Sequence, residues 1–263
     1  MTQDAVQVVW FKRDLRVRDH APLVEAARRG PVLALYVYEP SWMTAPDFDP
    51  SHLEFIGASL AKLREGLRKR GGELVIRLGE MPDVLEELRR MVGFRALWSH
   101  EETGNAISYA RDLRVKAWAQ ASGVVWHELP QNGVVRGLRD RDGWSQQWTR
   151  RMEAPILPAP ERLTPVVGVD PQGVRGPEDV GLGPSERTDA MVGGELEAWR
   201  TLETFLWERG VNYRADMSSP VEGWWGCSRL SPYLAWGNLS MRHVFQRLAC
   251  PFHHLKLALT SLG

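Results

Sequence analysis

The chain has 263 residues, with 33 Lys+Arg against 33 Asp+Glu and a pI near 7.1, so no overall electrostatic grip on nucleic acid or acidic lipid is expected, although a local basic patch stays open. Hydrophobic residues at 43% and charged residues at 25% are ordinary globular usage, and the length suits one large domain or two modest ones with a core that needs no staples. Cys227 and Cys250 are the only cysteines, which excludes a disulfide framework and a four-cysteine zinc site. The opening MTQDAVQVVWFKRD has no apolar signal core and no apolar run approaches a membrane span; a cytoplasmic protein with no membrane partner is expected. The 12 Trp are several-fold above ordinary usage, and core packing is the expected place for most of them.

From residue 6 to about 128, short apolar runs alternate with helical patterns. VQVVWF (6–11), VLALYV (32–37), ELVIRL (73–78), RALWSH (95–100) and VVWHEL (124–129) are rich in Val, Leu and aromatics and nearly continuous in apolar character, as strands covered on both faces are. Over 52–70, Leu53, Ile56, Leu60, Leu63 and Leu67 recur at three- and four-residue steps, which predicts a helix with one apolar stripe. Weaker patterns predict helices near 82–92 and 105–122. The alternation predicts an α/β fold with a doubly wound, five-stranded parallel sheet, Rossmann-like in architecture. Residues 154–194 hold 7 of the 17 Pro and 7 Gly, so a long surface linker is expected there. A helix with the stripe Leu196, Trp199, Leu202 and Leu206 follows, then the loop NYRADMSSPVEGWWG and two short helices that start at Ser231-Pro232 and Ser240. The expected parts are therefore 1–130 (α/β), 131–194 (connecting helix and linker) and 195–263 (helical).

Sheets of this kind bind ligands beyond the carboxyl ends of their strands, where the strand order switches. KRDLRVRDH after the first strand and SHEETGN after the fourth can share such a crevice for a polar or anionic ligand, or be a solvated, mutually neutralising surface. Neither GxGxxG nor GxxxxGK[ST] occurs in the first loop, which argues against an ordinary NAD dehydrogenase or P-loop enzyme. No metal is expected: His253 and His254 are adjacent and point apart on a helix, and HExxH and zinc-type spacings are absent. There is no GxSxG elbow. His20, His127 and His243 read as hydrogen-bonded structural residues. RGLRDRDGWSQQWTRR (136–151) is either a phosphate-tracking, base-stacking helix or, the favoured reading, a capping helix with Trp144 and Trp148 against the sheet. In GCSRLSPYLAWGNLS (226–240), small hydroxyls, amides before a helix start and Arg229 make an anion site suited to phosphate, or two ordinary helix caps.

Three segments resemble the photolyase/cryptochrome family: VVWFKRDLRVRDHAPL, RDLRVKAW after the fourth strand, and above all SRLSPYLAWGNLSMR with Tyr213 upstream. The resemblance covers about residues 6–248. It implies an antenna-bearing α/β domain, a linker and the start of an all-α FAD-binding domain, in flavoproteins that either repair ultraviolet pyrimidine dimers in DNA by light-driven electron transfer (deoxyribodipyrimidine photolyases) or act as blue-light receptors. Carried over by position, Tyr213 contacts FAD, and Cys227, Ser228, Arg229, Leu230 and Ser231 wrap its diphosphate, Cys227 standing where many members have Thr. Ser108 stands where the folate antenna expects an acidic residue, so folate is disfavoured and a deazaflavin, a flavin or an empty site is expected. Damaged DNA is the partner the resemblance implies. Family members continue for about as many residues again, and ACPFHHLKLALTSLG no longer reads like their continuation; a family flavoprotein truncated early in its helical domain is expected, an inactive remnant being a further reading, together with self-association through an exposed helical face bearing Trp199, Trp207 and Trp236. A non-enzymatic chromophore- or nucleotide-binding α/β module is the alternative.

Overall fold

A computed structural model describes residues 5–46 and 48–249; Cys250, His253, His254 and the divergent C-terminal run lie outside the described residues. The strands are β1 (Gln7–Phe11), β2 (Val32–Tyr38), β3 (Leu74–Leu78), β4 (Ala96–His100) and β5 (Val125–Leu129), each within a residue of its expected start. They form one parallel sheet in the order β3-β2-β1-β4-β5, so the direction of winding reverses between β1 and β4. Residues one apart along each strand enter opposite cores. Val9, Phe11, Ala34, Tyr36 and Ile76 join the side chains of α1 (Ala21–Ala27) and α3 (Pro50–Arg68). Val8, Trp10, Leu33, Leu35 and Val75 join those of α4 (Asp83–Val92) and α5 (Ala106–Ser122). That two-sided burial is why the strands lack polar alternation. The five predicted stripe residues of α3 are all buried, each contributing about 1.5–3 kcal/mol of apolar transfer. Asp49 caps this helix, accepting from the Ser51 amide at 2.9 Å, and Pro50 occupies its first position. α1, which sequence periodicity did not single out, is short; His20 caps it through Nδ1, which accepts from the Leu23 amide at 3.1 Å. A further single turn, α2 (Pro40–Met43), follows β2.

The linker does run over the surface, and it also completes the sheet edge. Ile76 N–H of the edge strand β3 donates to Pro171 O at 2.8 Å, and Val32 N–H of β2, ahead of its pairing with β3, donates to Thr164 O at 2.8 Å, so part of the backbone left unpaired on that side is covered. Beyond it come α7 (Glu195–Trp207), the single turns α8 (Tyr213–Asp216) and α9 (Gly223–Gly226), then α10 (Ser231–Ala235) and α11 (Met241–Ala249); the expected loop 212–226 is thus partly helical. Ala198, Leu202, Leu230, Tyr233, Trp236, Leu239 and Val244 pack into the same core as α1 and α3, while Leu196, expected in the buried stripe, is 56% exposed. The connecting helix α6 (Trp144–Glu153) packs on α11 rather than on the sheet. Its Trp148 meets Phe245 edge-on at 5.2 Å, and Gln246 donates to Met152 O and Ala154 O at 2.8 Å. The expectation that most Trp are core holds for Trp10, Trp98 and Trp236, whereas Trp144, Trp207, Trp224 and Trp225 are exposed. The expected apolar face is revised with them: Trp236 is buried, Trp199 is half-buried against His243, and Trp207 remains open.

The two parts meet at the turn between α10 and α11. Leu15 N–H donates to Trp236 O at 3.0 Å, Asn238 Nδ2 to Leu15 O at 3.0 Å and Arg16 Nη1 to Gly237 O at 2.9 Å. Gly237 has φ +64°, and a Cβ there would stand 2.2 Å from Arg13 O. Gly123, at the end of α5, has the same φ with nothing within 4 Å. Gly123→Ala is expected to cost about 1–2 kcal/mol, the left-handed penalty alone. Gly237→Ala adds the clash and is expected to cost about 3 kcal/mol or more; equal shifts of the urea midpoint for the two variants would contradict this packing.

Candidate functional site

The strand order switches between β1 and β4, and the structure brings the two expected loops together there. A cavity of about 230 Å³ is lined by Lys12, Arg13, Asp14, His100, Glu101, Glu102, Thr103 and Gly104, and closed by Gln131, Asn132 and, from the helical part, Leu234, Ala235, Leu239, Ser240 and Met241. Of the first loop's cations, Arg13 lines the cavity over the rings of Trp42 at 5.8 Å and Trp236 at 5.4 Å, while Lys12 and Arg16 are engaged elsewhere. Lys12 Nζ pairs with Asp112 at 3.2 Å and lies over Trp10 at 4.8 Å. Arg16 is fully buried and donates to the carbonyls of Arg18, Asp19 and Gly237. Arg111, on α5, bridges Glu39, Glu102 and Asp112 at 2.9–3.1 Å. Of the two readings of these loops, a mutually neutralised set of charges describes Lys12, Arg16 and Arg111, and a crevice lined by Arg13 is present as well.

At the cavity floor Asp14 is fully buried. Its Oδ1 accepts from the Lys12 amide at 2.7 Å, and its Oδ2 lies 2.7 Å from His100 Nδ1. His20 Nε2 stands 3.0 Å from that same oxygen, at an angle too oblique for a full hydrogen bond. Burial pushes the Asp14 carboxyl up, but the neighbouring His20 and the hydrogen bond from His100 hold it well below the usual carboxylate range. Burial, with His20 and Arg16 nearby, takes His100 down to about 3 against the pull of Asp14, and burial lowers His20 as well. At neutral pH the three are therefore a carboxylate and two neutral rings. The tautomers follow: His20 Nδ1 accepts from Leu23 N–H, so its proton sits on Nε2, and an ionised Asp14 can only accept, so His100 carries its proton on Nδ1.

Asp14, His20 and His100 are also the one trio among the described residues whose ligand-type atoms lie within 4.8 Å of one another. A metal on His20 Nε2 would force the ring proton to Nδ1, against the Leu23 amide, stranding a buried donor at about 1–3 kcal/mol. The geometry is that of a hydrogen-bonded core.

The second expected site lies on the helical part. Arg209, which sequence patterning did not single out, donates to Thr201 O at 2.9 Å, Cys227 O at 2.5 Å and Ser228 O at 3.2 Å. In a trans peptide the following N–H points opposite to the carbonyl, so the Ser228 and Arg229 amides face away from Arg209. Arg229 has φ +58° and Leu230 is right-handed (φ −87°, ψ −11°), a succession that turns consecutive amides toward one point. Cys227 is revised: its amide closes α9 by donating to Gly223 O at 3.1 Å and does not join the others. Leu230 is buried in the core and Ser231 is the exposed first residue of α10. Arg229 lies over the Trp224 ring at 4.2 Å and lines, with Arg209 and Tyr233, a cavity of about 260 Å³. Tyr213 stands on α8, against α9, with its ring edge-on to Phe205 at 5.5 Å. Ser108 lies in the first turn of α5, which Asn105 caps: Asn105 Oδ1 accepts from the Ser108 amide at 3.1 Å, and the Ser108 hydroxyl donates to Asn105 O at 2.9 Å. The Arg of segment 136–151 are partly engaged too, Arg136 with Glu128 at 2.9 Å and Arg151 with Val134 O at 2.8 Å.

The DNA photolyase family model matches residues 7–139. The chain belongs to the DNA photolyase family. It is 35% identical over 247 residues to the deoxyribodipyrimidine photo-lyase of Thermus thermophilus (89% of this chain, 52% of that one). It is 28% identical over 265 residues to a cryptochrome DASH of Gloeobacter violaceus (92% of this chain, 52% of that one). The crystal structure of a bacterial class III photolyase from Agrobacterium tumefaciens superposes with a TM-score of 0.76 at 22% identity, over 96% of this chain and 55% of that chain, a likeness of fold. The chain thus spans about half the length of the curated relatives it matches. Among the described residues no helix is long and apolar enough to cross a membrane.

The buried imidazoles give this family member a pH signature. A His whose folded pKa is lowered binds fewer protons folded than unfolded, so its contribution is full above pH 6.5 and is lost as pH falls toward the folded value. His100 loses it between pH 6.5 and about 3, and His243, taken down by burial to about 4, adds to the same slope. The slope per His is at most about 1.4 kcal/mol per pH unit. The urea midpoint is expected to fall from pH 7 to pH 5, and His100→Asn to flatten that fall; a midpoint independent of pH over this range would refute the neutral buried rings.

Proposed function

We propose that the chain is a flavoprotein whose segment 228–231 takes the diphosphate of FAD, with Tyr213 and Arg229 beside it, and that its reaction is the light-driven repair of pyrimidine dimers in damaged DNA. The observation that carries the reading is the Arg209 clamp: by holding the carbonyls of Cys227 and Ser228 on one side, it leaves the following amides as a pre-oriented anion cradle, which lowers the ordering cost of binding. Unlike a phosphate loop, the cradle needs no glycine run, because the left-handed residue is Arg229 itself. The likeness to the Thermus photo-lyase supports repair; the likeness to the cryptochrome DASH supports blue-light reception by the same flavin as the second reading.

FAD added to the purified chain is expected to be retained through gel filtration and to show a flavin absorption spectrum. Arg209→Met, which frees the carbonyls, is expected to lower retention at least tenfold with unchanged far-ultraviolet circular dichroism. Ser228→Ala with Ser231→Ala keeps the amides and is expected to lower it only a few-fold. A chain that retains no flavin sinks the proposal. Loss of pyrimidine dimers from irradiated oligonucleotide under blue light then separates repair from reception.

A further inference from the structure

The linker covers one edge of the sheet, with Ile76 N–H of β3 donating to Pro171 O. Among the described residues the other edge strand, β5, pairs with β4 alone. Two bonds show which of its backbone groups that pairing uses. Val125 N–H donates to Arg95 O at 2.9 Å, and Leu129 O accepts from Glu101 N–H at 2.8 Å. A strand residue sends its N–H and C=O to one side and the next residue sends its own to the other. Val125, His127 and Leu129 therefore face β4, and the N–H and C=O of Trp126 and Glu128 face outward. Among the described residues none of these outward groups has a hydrogen-bond partner. The side chains of the same two residues are engaged, Trp126 Nε1 with Ser99 Oγ at 3.1 Å and Glu128 with Arg136 at 2.9 Å. Val125 is 57% exposed, and the strand VWHEL carries neither Lys nor Pro, so two of the usual guards against edge pairing are missing.

From this arrangement we propose that β5 pairs antiparallel with β5 of a second copy of this chain, across a two-fold axis at His127, so that one sheet runs through both molecules. The register follows from the groups themselves. With Trp126 opposite Glu128 of the second copy, and Glu128 opposite its Trp126, each facing pair exchanges two bonds and every outward group is used. A slip toward the strand start sets Glu128 against Val124, whose N–H is already given to Ala119 O at 2.9 Å. A slip toward its end sets Trp126 against Pro130, which has no N–H. The same register matches side chains, and this points to a second copy as the occupant. The exposed Val125 falls opposite Leu129 of the second copy, and His127, stacked on Trp98 at 3.9 Å, falls opposite itself. Burial and the neighbouring Arg29 lower His127 from its ordinary value, so the two rings meet uncharged at pH 7. This surface is distinct from the helical face expected from the sequence and from segment 228–231, and the proposal stands whether or not the chain retains FAD.

The test is sedimentation of the full chain, which is expected to show a dimer that dissociates on dilution. Val125→Lys puts a charge at an exposed edge position, and Glu128→Pro removes an outward N–H while leaving the bonds to β4 in place. Each is expected to keep its far-ultraviolet circular dichroism and to raise the dimer dissociation constant about tenfold or more. The register is read with single cysteines in a Cys227→Ser, Cys250→Ser background. His127→Cys is expected to form an interchain disulfide on air oxidation, because facing residues of a non-hydrogen-bonded pair stand ~4.5 Å apart at Cα, within the roughly 4.4–6.8 Å that disulfides span. Val125→Cys and Leu129→Cys are each expected to stay reduced alone and to cross-link when mixed. A chain that stays monomeric at every concentration overturns the proposal. So does a dimer that neither Val125→Lys nor Glu128→Pro weakens, which would place the contact on another surface, or a dimer in which Val125→Cys cross-links to itself and His127→Cys does not.

Discussion

The loop between β1 and α1 has to satisfy its buried backbone against four separate segments at once. Leu15 pairs in both directions with the α10–α11 turn, Arg13 O accepts from Gln131 after β5, Val17 N–H donates to Glu195 at the start of α7 at 3.1 Å, and Asp19 exchanges bonds with Leu157 in the linker. At its centre the fully buried Arg16 guanidinium holds three carbonyls. Stripping partners from such a charge costs about 3–5 kcal/mol, comparable with a large fraction of a domain's net stability. The helical part is therefore joined to the α/β part through polar groups that each have one geometry, and apolar packing through Leu230, Tyr233 and Leu239 fills the rest.

That constraint also shapes the chemistry of the switch-point crevice. A loop with this many basic residues would ordinarily make an anion site. Here geometry ties Lys12, Arg16 and Arg111 to internal partners, while Arg13 lines the crevice over the Trp42 and Trp236 rings, beside Glu101, Glu102 and His100. The helical cradle at 228–231 is the converse case. Its segment carries few formal charges, yet Arg209 holds the carbonyls of Cys227 and Ser228 on one side, so in the proposed flavin reading the anion preference rests on backbone dipoles.

The sheet was legible because its inner strands are short and buried on both faces, though the edge strand β5 is only half-buried, and α3 because its stripe runs along a helix of 19 residues. α1 is only 7 residues, too short for periodicity to stand out, and is set by its His20 cap. The pairing of α6 with α11 rather than the sheet depends on contacts between residues about 95 apart, such as Trp148 with Phe245, which no local pattern encodes. The single turns α8 and α9 in the segment read as loop are similarly too short for a stripe. At the switch point the two loops could be placed from strand order, whereas the Asp14–His100 bond joins residues 86 apart in sequence and needs the β1–β4 pairing to be seen. In the helical part the motif 227–231 was visible from its residues; the clamp was not, because Arg209 acts on backbone carbonyls and leaves no mark in the motif itself.

The claim on which the rest depends is that the β1–α1 loop and the α10–α11 turn form one cooperative unit with the sheet. Native-state hydrogen exchange of the Leu15 amide against those of Val9 and Trp10 in β1 tests it most directly. Equal opening free energies at the three sites, with equal dependence on denaturant, are the result predicted. A Leu15 amide that exchanges orders of magnitude faster while β1 stays protected would mean that the helical part opens on its own, and that the interlock is not what holds the chain together.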